Sequence, residues 1–386
     1  MSNRKSVLIH ATTPISQLKQ SVGEGRWSPA SENRGIPGTE EAVINIAREL
    51  ARHPVDLTVV SPCGTEAGVY DGARWVDVEQ FNPNTSFDYA FFVHHDTALE
   101  CAKTGLKAGF RYLWLHNNYP EDIILPYLDF YEKFMPLTAW SRRLFPRIPD
   151  EKIFLTRNGV NVAQTDAFSS LPRQRYRLVY GSDYDRGLTL LLSAWPQIKS
   201  RFPQAELDVF YGWNIFDSKT EKAQNPGEKQ SRLDYRSQVN QLMEQPGVHH
   251  HGRVSHQEVA RLFCQADIWA YPCTFPESSC ITAMKAQITG AVPVVIPTGA
   301  LKDTVMFGYK TATSTEQWTS VQEQQACVQE WLSLLVKAMG DEQALADIRG
   351  RMQGHCREYF SWKGIAAEWA QEIMNGNAER SPMYIF

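Results

Sequence analysis

The chain has 386 residues, more than one ordinary domain holds, so two domains are expected. Hydrophobic residues make up 43% and charged residues 21%, enough apolar content for two cores, and the net charge of −4 excludes a general basic field for nucleic acid. The seven cysteines are scattered and contain no CxxC, which argues against a disulfide framework or a zinc site and for a reducing cytoplasmic setting.

The N-terminal sequence holds an apolar run of about five residues, too short for a signal peptide, and no run approaches the ~18 residues of a membrane span. Apolar runs then alternate with helix-period segments, the pattern of an α/β chain. A first strand is predicted over 6–11. A helix follows over 37–52, with Val43, Ile46, Ala47 and Leu50 on one face. Further strands are expected at 57–61, 89–93, 112–116 and 134–139. An Asn158-Gly159 turn precedes a polar linker. The alternation restarts with a strand at 177–181 and a helix bearing Leu188, Leu191, Leu192, Trp195 and Ile198 on one face. Strands follow at 207–211, 247–252, 267–271 and 292–296. The polar stretch 214–232 reads as a surface insertion. A last helix carries Trp362, Ala366, Trp369 and Ile373. The expected architecture is two Rossmann-like, doubly wound halves facing a central cleft, with ligands at the C-terminal ends of the strands. Such a pair suits a two-substrate transfer that excludes water, and equally a closing binding protein.

Four segments could carry chemistry. Gly35 and Gly38 lie in the turn between the first strand and its helix, where the backbone can approach a phosphate or a sugar hydroxyl. The alternative is a plain capped turn. His116 ends a buried strand, where it could bond a sugar hydroxyl or act as acid or base; the alternative is a structural histidine. In Gly181–Leu188, Arg186 sits where a guanidinium can reach a diphosphate, and Asp183 and Asp185 form a DxD that reads best as two carboxylates favouring a helix N-terminus. In the segment 275–287, Glu277 stands at the start of a helix whose free amides, on Ser279, Cys280 and Ile281, suit a phosphate or sugar. Ser278 adjoins them, and Lys285 lies about two helical turns beyond Glu277 on nearly the same face. The run His249-His250-His251 alternates faces on a strand and reads as structural.

Taken in order, these elements resemble the retaining GT-B glycosyltransferases of family 4 along nearly the whole chain. Gly35–Glu40 resembles that family's glycine-rich loop, and His116 its donor-contacting histidine. Asn158–Asn161 resembles the hinge element. Asp185-Arg186-Gly187-Leu188 resembles the phosphate-binding KG element with arginine for lysine. The segment 275–287 followed by Gly290-Ala291-Val292-Pro293-Val294-Val295 resembles the E-x7-E region and its strand, and Phe360-Ser361-Trp362 the final helix that crosses back to the N-terminal domain. The resemblance implies an N-terminal acceptor domain at 1–168, a nucleotide-sugar domain at 169–358 and a crossing helix at 359–386.

It further implies transfer of a hexose from a UDP- or GDP-sugar to a glycan or glycolipid hydroxyl with retention, as in polysaccharide biosynthesis. Peripheral membrane contact would come with a glycolipid acceptor. No metal and no cofactor are expected. Arg186, Glu277 and His116 would be catalytic. Gly35, Gly38, Arg186, Glu277, Ser278, Ser279, Cys280, Ile281 and Lys285 would bind the donor. Glu277 as a covalent nucleophile and front-face displacement are equally consistent. Two positions depart from the family pattern. Gly181 stands where relatives place an arginine, and Lys285 replaces the second glutamate of E-x7-E. Lysine can donate to a hydroxyl but cannot accept from one. This departure opens a rival reading, a non-catalytic sugar-nucleotide-binding pseudoenzyme; a sugar-nucleotide epimerase is a weaker rival.

Overall fold

The computed structural model describes residues 4–12 and 25–375, so the end of the predicted segment 359–386, residues 376–386, lies outside the described residues. The chain forms two compact units. The first comprises the N-terminal residues through Glu32, Ile36–Val160 and the chain from Phe360; the second comprises Asn33–Gly35 and Asn161–Tyr359.

The first unit is built on seven strands: β1 (Lys5–His10), β2 (Val55–Ser61), β3 (Gly68–Tyr70), β4 (Ala73–Asp77), β5 (Ser86–Phe92), β6 (Lys107–Leu115) and β7 (Lys133–Pro136). Their order is β3-β4-β2-β1-β5-β6-β7, parallel except for the β3–β4 pair. The central strands are apolar over consecutive positions because helices cover both faces of such a sheet. Val7, Leu8 and Ile9 of β1 have no exposed surface. The helix Trp362–Asn375 packs on the helix Gly38–Leu50, with Trp369 stacked on Phe91 at 4.8 Å and edge-on to Trp114 at 4.9 Å. Its polar contacts are specific. Arg157 donates to both oxygens of Glu368 at 2.8 Å, Trp369 Nε1 to Thr156 Oγ1 at 2.9 Å, and Tyr112 to Glu372 at 2.8 Å. Gly159 passes so close to this helix that a Cβ would lie 2.8 Å from Phe360 O.

The second unit has six parallel strands: β8 (Gln174–Gly181), β9 (Glu206–Phe210), β10 (Val248–Gly252), β11 (Ala266–Tyr271), β12 (Val292–Val295) and β13 (Tyr309–Lys310). The order is β10-β9-β8-β11-β12-β13. All six residues of β11 are buried. The predicted apolar face of the helix Leu188–Arg201 is the buried one. Asp267, buried at the start of β11, is held by Arg349 at 2.8 Å and by Arg175.

Several elements depart from the sequence expectation. The polar stretch 214–232 is helical, in Asn214–Lys222 and the start of Pro226–Met243. Polar composition concealed this because few side chains of these helices are buried; Asn225 caps the second by accepting from Gly227 and Glu228. The long helices Val321–Gly340 and Glu342–Tyr359, and the antiparallel edge strand β3, were not expected either. The histidine run does alternate. His249 and His251 pair with Glu206 and Asp208 on neighbouring β9, while His250 turns to the Tyr184 hydroxyl at 2.9 Å.

Candidate functional site

In a doubly wound sheet the strand order reverses at one point, and the two loops leaving the strands there diverge to either face, opening a crevice at the C-terminal edge. In the second unit the reversal falls between β8 and β11. The loop after β8 carries Ser182 to Gly187, and the loop after β11 carries Pro272 to Cys280. These are the two segments that hold Arg186 and Glu277.

The two side chains meet. Arg186 Nη1 donates to both oxygens of Glu277 at 3.1 Å. The guanidinium also lies over the Phe275 ring, 4.1 Å from its centroid. Burial works against the charge of Arg186 and is the largest single influence on it, but Glu277 together with Tyr271, Tyr211 and Asp183 outweighs it and raises the guanidinium pKa above its ordinary value. Glu277 is only 6% exposed. Its Oε1 accepts from the Tyr271 hydroxyl at 2.8 Å, and Ser182 Oγ lies 3.0 Å from the same phenol oxygen. Burial lifts the Tyr271 pKa far above the phenol range, so Tyr271 stays a proton donor to Glu277.

Backbone geometry fixes these loops. Gly187 has φ +106°, and a Cβ there would overlap the carbonyl of Pro272. Glycine at this position lets the β8 loop lie against the β11 loop. Gly299, at φ +62°, does the same on the other side: a Cβ would stand 2.6 Å from Glu277 N, and Ala300 N donates to Glu277 O at 2.7 Å. Tyr211 closes β9 with φ +127°, a conformation costing a non-glycine residue about 1–3 kcal/mol. Burial pushes its phenol up to about 12, with Arg186 pulling the other way.

Three details of the sequence reading are corrected. The helix after the β11 loop is Ile281–Thr289, with Cys280 as N-cap and no acidic residue in its first turn. Glu277 therefore sits in the preceding loop, and the free amides of the helix begin at Ile281 rather than Ser279. Ser278, Ser279 and Cys280 precede the helix, and Lys285 is half-buried in its second turn. The i, i+8 spacing from Glu277 to Lys285 thus does not place the two on one helical face. Asp183 and Asp185 also precede their helix, which starts at Leu188 behind Gly187. Asp185 is exposed, whereas Asp183 is 1% exposed, with neither carboxylate oxygen hydrogen-bonded among the described residues. Burial, then Asp185, raises the Asp183 pKa, and Lys219 Nζ approaches it to 3.9 Å.

Of the other expected site residues, Gly35 (φ +75°) belongs to the second unit, while Gly38 opens the helix Gly38–Leu50 of the first. His116 belongs to the first unit, buried at the end of β6 with its ring 4.2 Å from that of Trp114. Sequence reasoning missed Tyr271, Ser182 and Gly299. Gly299, following Thr298 after a buried strand, was the one legible signal.

Comparison with known proteins covers the same part of the chain. Residues 171–335 match the family of glycosyl transferases group 1. The match spans both loops of the site and strands β8 to β13. Solved structures share the fold along nearly all of the chain. HepE from Anabaena, in complex with UDP and glucose, has a TM-score of 0.67 at 14% identity, covering 96% of this chain and 100% of that one. A glycosyltransferase from Rickettsia africae ESF-5 gives 0.66 at 14%, covering 97% and 100%. Sucrose-phosphate synthase from Thermosynechococcus elongatus gives 0.66 at 13%, covering 96% and 99%. The two Rossmann-like units are thus those of the GT-B class. No curated protein sequence matches the chain significantly. None of the described helices is long and apolar enough to cross a membrane.

Proposed function

We propose that the chain is a retaining glycosyltransferase that moves a hexose from a UDP- or GDP-sugar to a hydroxyl of a glycan or glycolipid, without an essential metal. The observation that carries this reading is the Arg186–Glu277 pair at the β8/β11 reversal, inside the segment that matches glycosyl transferases group 1. Neighbours of the same fold contain UDP with glucose and UDP-glucose, which supports a nucleotide diphospho-sugar as donor.

The pair divides the work. Its hydrogen bonds to Glu277 use Nη1, which leaves the rest of the guanidinium fork to bind phosphate oxygens in this reading. As the bond from the anomeric carbon to the diphosphate breaks, negative charge grows on the leaving oxygen. Arg186, already charged and fixed, stabilises it without reorganising. The acceptor hydroxyl oxygen bonds to the anomeric carbon on the same face, and its proton passes to the departing phosphate oxygen. Glu277 has its oxygens engaged by Arg186 and Tyr271, which suits an acceptor of sugar hydroxyl hydrogens better than a covalent nucleophile. The amides that open the helix Ile281–Thr289 add partial positive charge toward the phosphates.

Lys285 motivates the second reading, a protein that binds a sugar nucleotide without turning it over. A cation in the second turn of that helix favours phosphate oxygens over ribose hydroxyls. Transfer and hydrolysis assays with UDP-, GDP- and ADP-glucose separate the two. The enzyme reading expects turnover of at least one donor, unaffected by EDTA. Absence of turnover with every donor, unrestored by Lys285→Glu, would leave the pseudoenzyme.

A further inference from the structure

Glu277 holds Arg186 from the β11 side, and the other side of the Arg186 loop is held by a separate set of groups. Arg186 N donates to Asp183 O at 3.1 Å, which closes Asp183, Tyr184, Asp185 and Arg186 into a β-turn. Tyr184 is the first corner residue of that turn and has no exposed surface. Its hydroxyl accepts from Gly212 N at 3.1 Å, just beyond β9, and lies 2.9 Å from His250 Nε2 on β10. Its carbonyl accepts from the Tyr235 hydroxyl at 2.7 Å, on the helix Pro226–Met243. The Trp213 ring packs edge-on to the phenol at 4.8 Å. β9 and β10 lie on the side of β8 away from β11.

The protons of this set have one consistent arrangement. The Gly212 N–H occupies one lone pair of the phenol oxygen, and the phenol's own proton has His250 Nε2 as its acceptor. The imidazole then carries its proton on Nδ1. Burial, then His251, lowers the His250 pKa, so the ring is neutral at pH 7 and can accept. Burial raises the Tyr184 pKa, so the phenol keeps its proton. Packing against Trp213 does not call for the hydroxyl. A phenylalanine would fill the same space but would leave the buried Gly212 N–H unpaired. His250 is exposed, so the bond to the phenol is a larger part of its role than packing is.

A guanidinium that stabilises a leaving group must stand in place before the charge develops, and a shift of about 1 Å in such a group is costly. Glu277 fixes the end of the Arg186 side chain, and the turn that carries its backbone is fixed at Tyr184. We propose that Tyr184 is a positioning residue: its hydroxyl, held between Gly212 and His250, sets the turn that places Arg186. His250, two strands from β8, acts on Arg186 through this phenol. The effect on sugar transfer rests on the glycosyltransferase reading; the placement of the turn does not.

Two readouts on the full chain test this. Hydrogen–deuterium exchange of the segment 182–187 reads the turn with no ligand present, and kcat/KM with the best of UDP-, GDP- and ADP-glucose reads its consequence. Tyr184→Phe should speed exchange of the segment and lower kcat/KM, each about tenfold. His250→Leu removes the acceptor at an exposed position and should change both about fivefold, with Tm within about 2 °C of the wild type. His250→Gln, whose amide oxygen can accept near the Nε2 position, should return both to within about twofold. A role in stability alone would follow Tm and would not be rescued in this way. If Tyr184→Phe does not fold, the two His250 variants decide. Wild-type turnover absent with all three donors would count against the glycosyltransferase reading, and exchange would still decide the positioning. Unchanged exchange of 182–187 in His250→Leu overturns the proposal. So does faster exchange spread evenly over the second unit, faster exchange with kcat/KM unaltered in an active enzyme, or a His250→Gln variant that behaves as His250→Leu does.

Discussion

The two sheets place different chemistry at equivalent points. At the β8/β11 reversal the edge carries a charged pair, Arg186 with Glu277. At the β1/β5 reversal it carries His10 and His94, with no ion pair between them. Burial presses on both edges and the outcomes are opposite. A guanidinium with its high intrinsic pKa keeps its proton when a carboxylate stands 3.1 Å away, so desolvation is outweighed. An imidazole near 6.5 has little reserve, and desolvation makes it neutral. The same fold can therefore present one charged edge and one neutral edge. Which one forms depends on the titrating group delivered at the strand end and on its partner.

Four substitutions or conditions bear on this contrast. The largest effect is expected from Arg186→Ala. Removing the charge proposed to meet the leaving group should lower donor turnover about 10²–10³-fold, as loss of one preorganised charge donor does. A drop confined to KM would show that Arg186 only binds the ground state. Gly187→Ala comes next. The added Cβ meets Pro272 O and the residue must hold φ +106°, so the second unit should lose about 3 kcal/mol, a fall of roughly 6–12 °C in its Tm by calorimetry. An unchanged Tm would show that the two loops separate readily. Tyr271→Phe removes one hydrogen bond to the carboxylate and should reduce kcat/KM about tenfold, or about 1.4 kcal/mol, with little change in Tm.

The contribution of a single histidine to each step of the pH dependence of the first unit is of the same order as the Tyr271 effect. His10 and His116 have folded pKa values of about 3, below the ordinary 6.5. Their contribution is fully present above pH 6.5 and is lost as pH falls from there toward 3, because the unfolded chain takes up the protons first. Each should cost about 1.4 kcal/mol of stability per pH unit across that window. His10→Phe should remove one histidine's share of the slope in denaturant unfolding between pH 6 and 4. An unaltered slope would mean that His10 is solvated and titrates normally.

How much of this was visible in the sequence depended on the range of the interaction. The alternation of strands and helices, and the buried faces of Gly38–Leu50 and Leu188–Arg201, follow from local periodicity, and they appear where the pattern puts them. Arg186 and Glu277 stood out in separate short motifs, but their pairing spans 91 residues and depends on β8 and β11 being adjacent. Gly187 looked like part of a motif, and only the fold shows the Pro272 carbonyl that requires it. The helix at Ile281 begins later than its sequence suggested because Glu277 is bonded sideways to the Gly299–Ala300 backbone rather than to its own helix. His10 lies inside the predicted strand 6–11 and carries no local signal of its own. Its ring contact with Phe92 on β5, some eighty residues away, is one that no local pattern reveals.

The central claim is that the β8/β11 edge binds a nucleotide diphospho-sugar through Arg186. Isothermal titration of UDP-glucose, GDP-glucose and ADP-glucose into the wild-type chain and into Arg186→Ala tests it most directly. The account predicts saturable binding of at least one donor, weakened at least a hundredfold in Arg186→Ala with the fold intact. Equal affinity in both proteins, or no binding of any of the three, would contradict it.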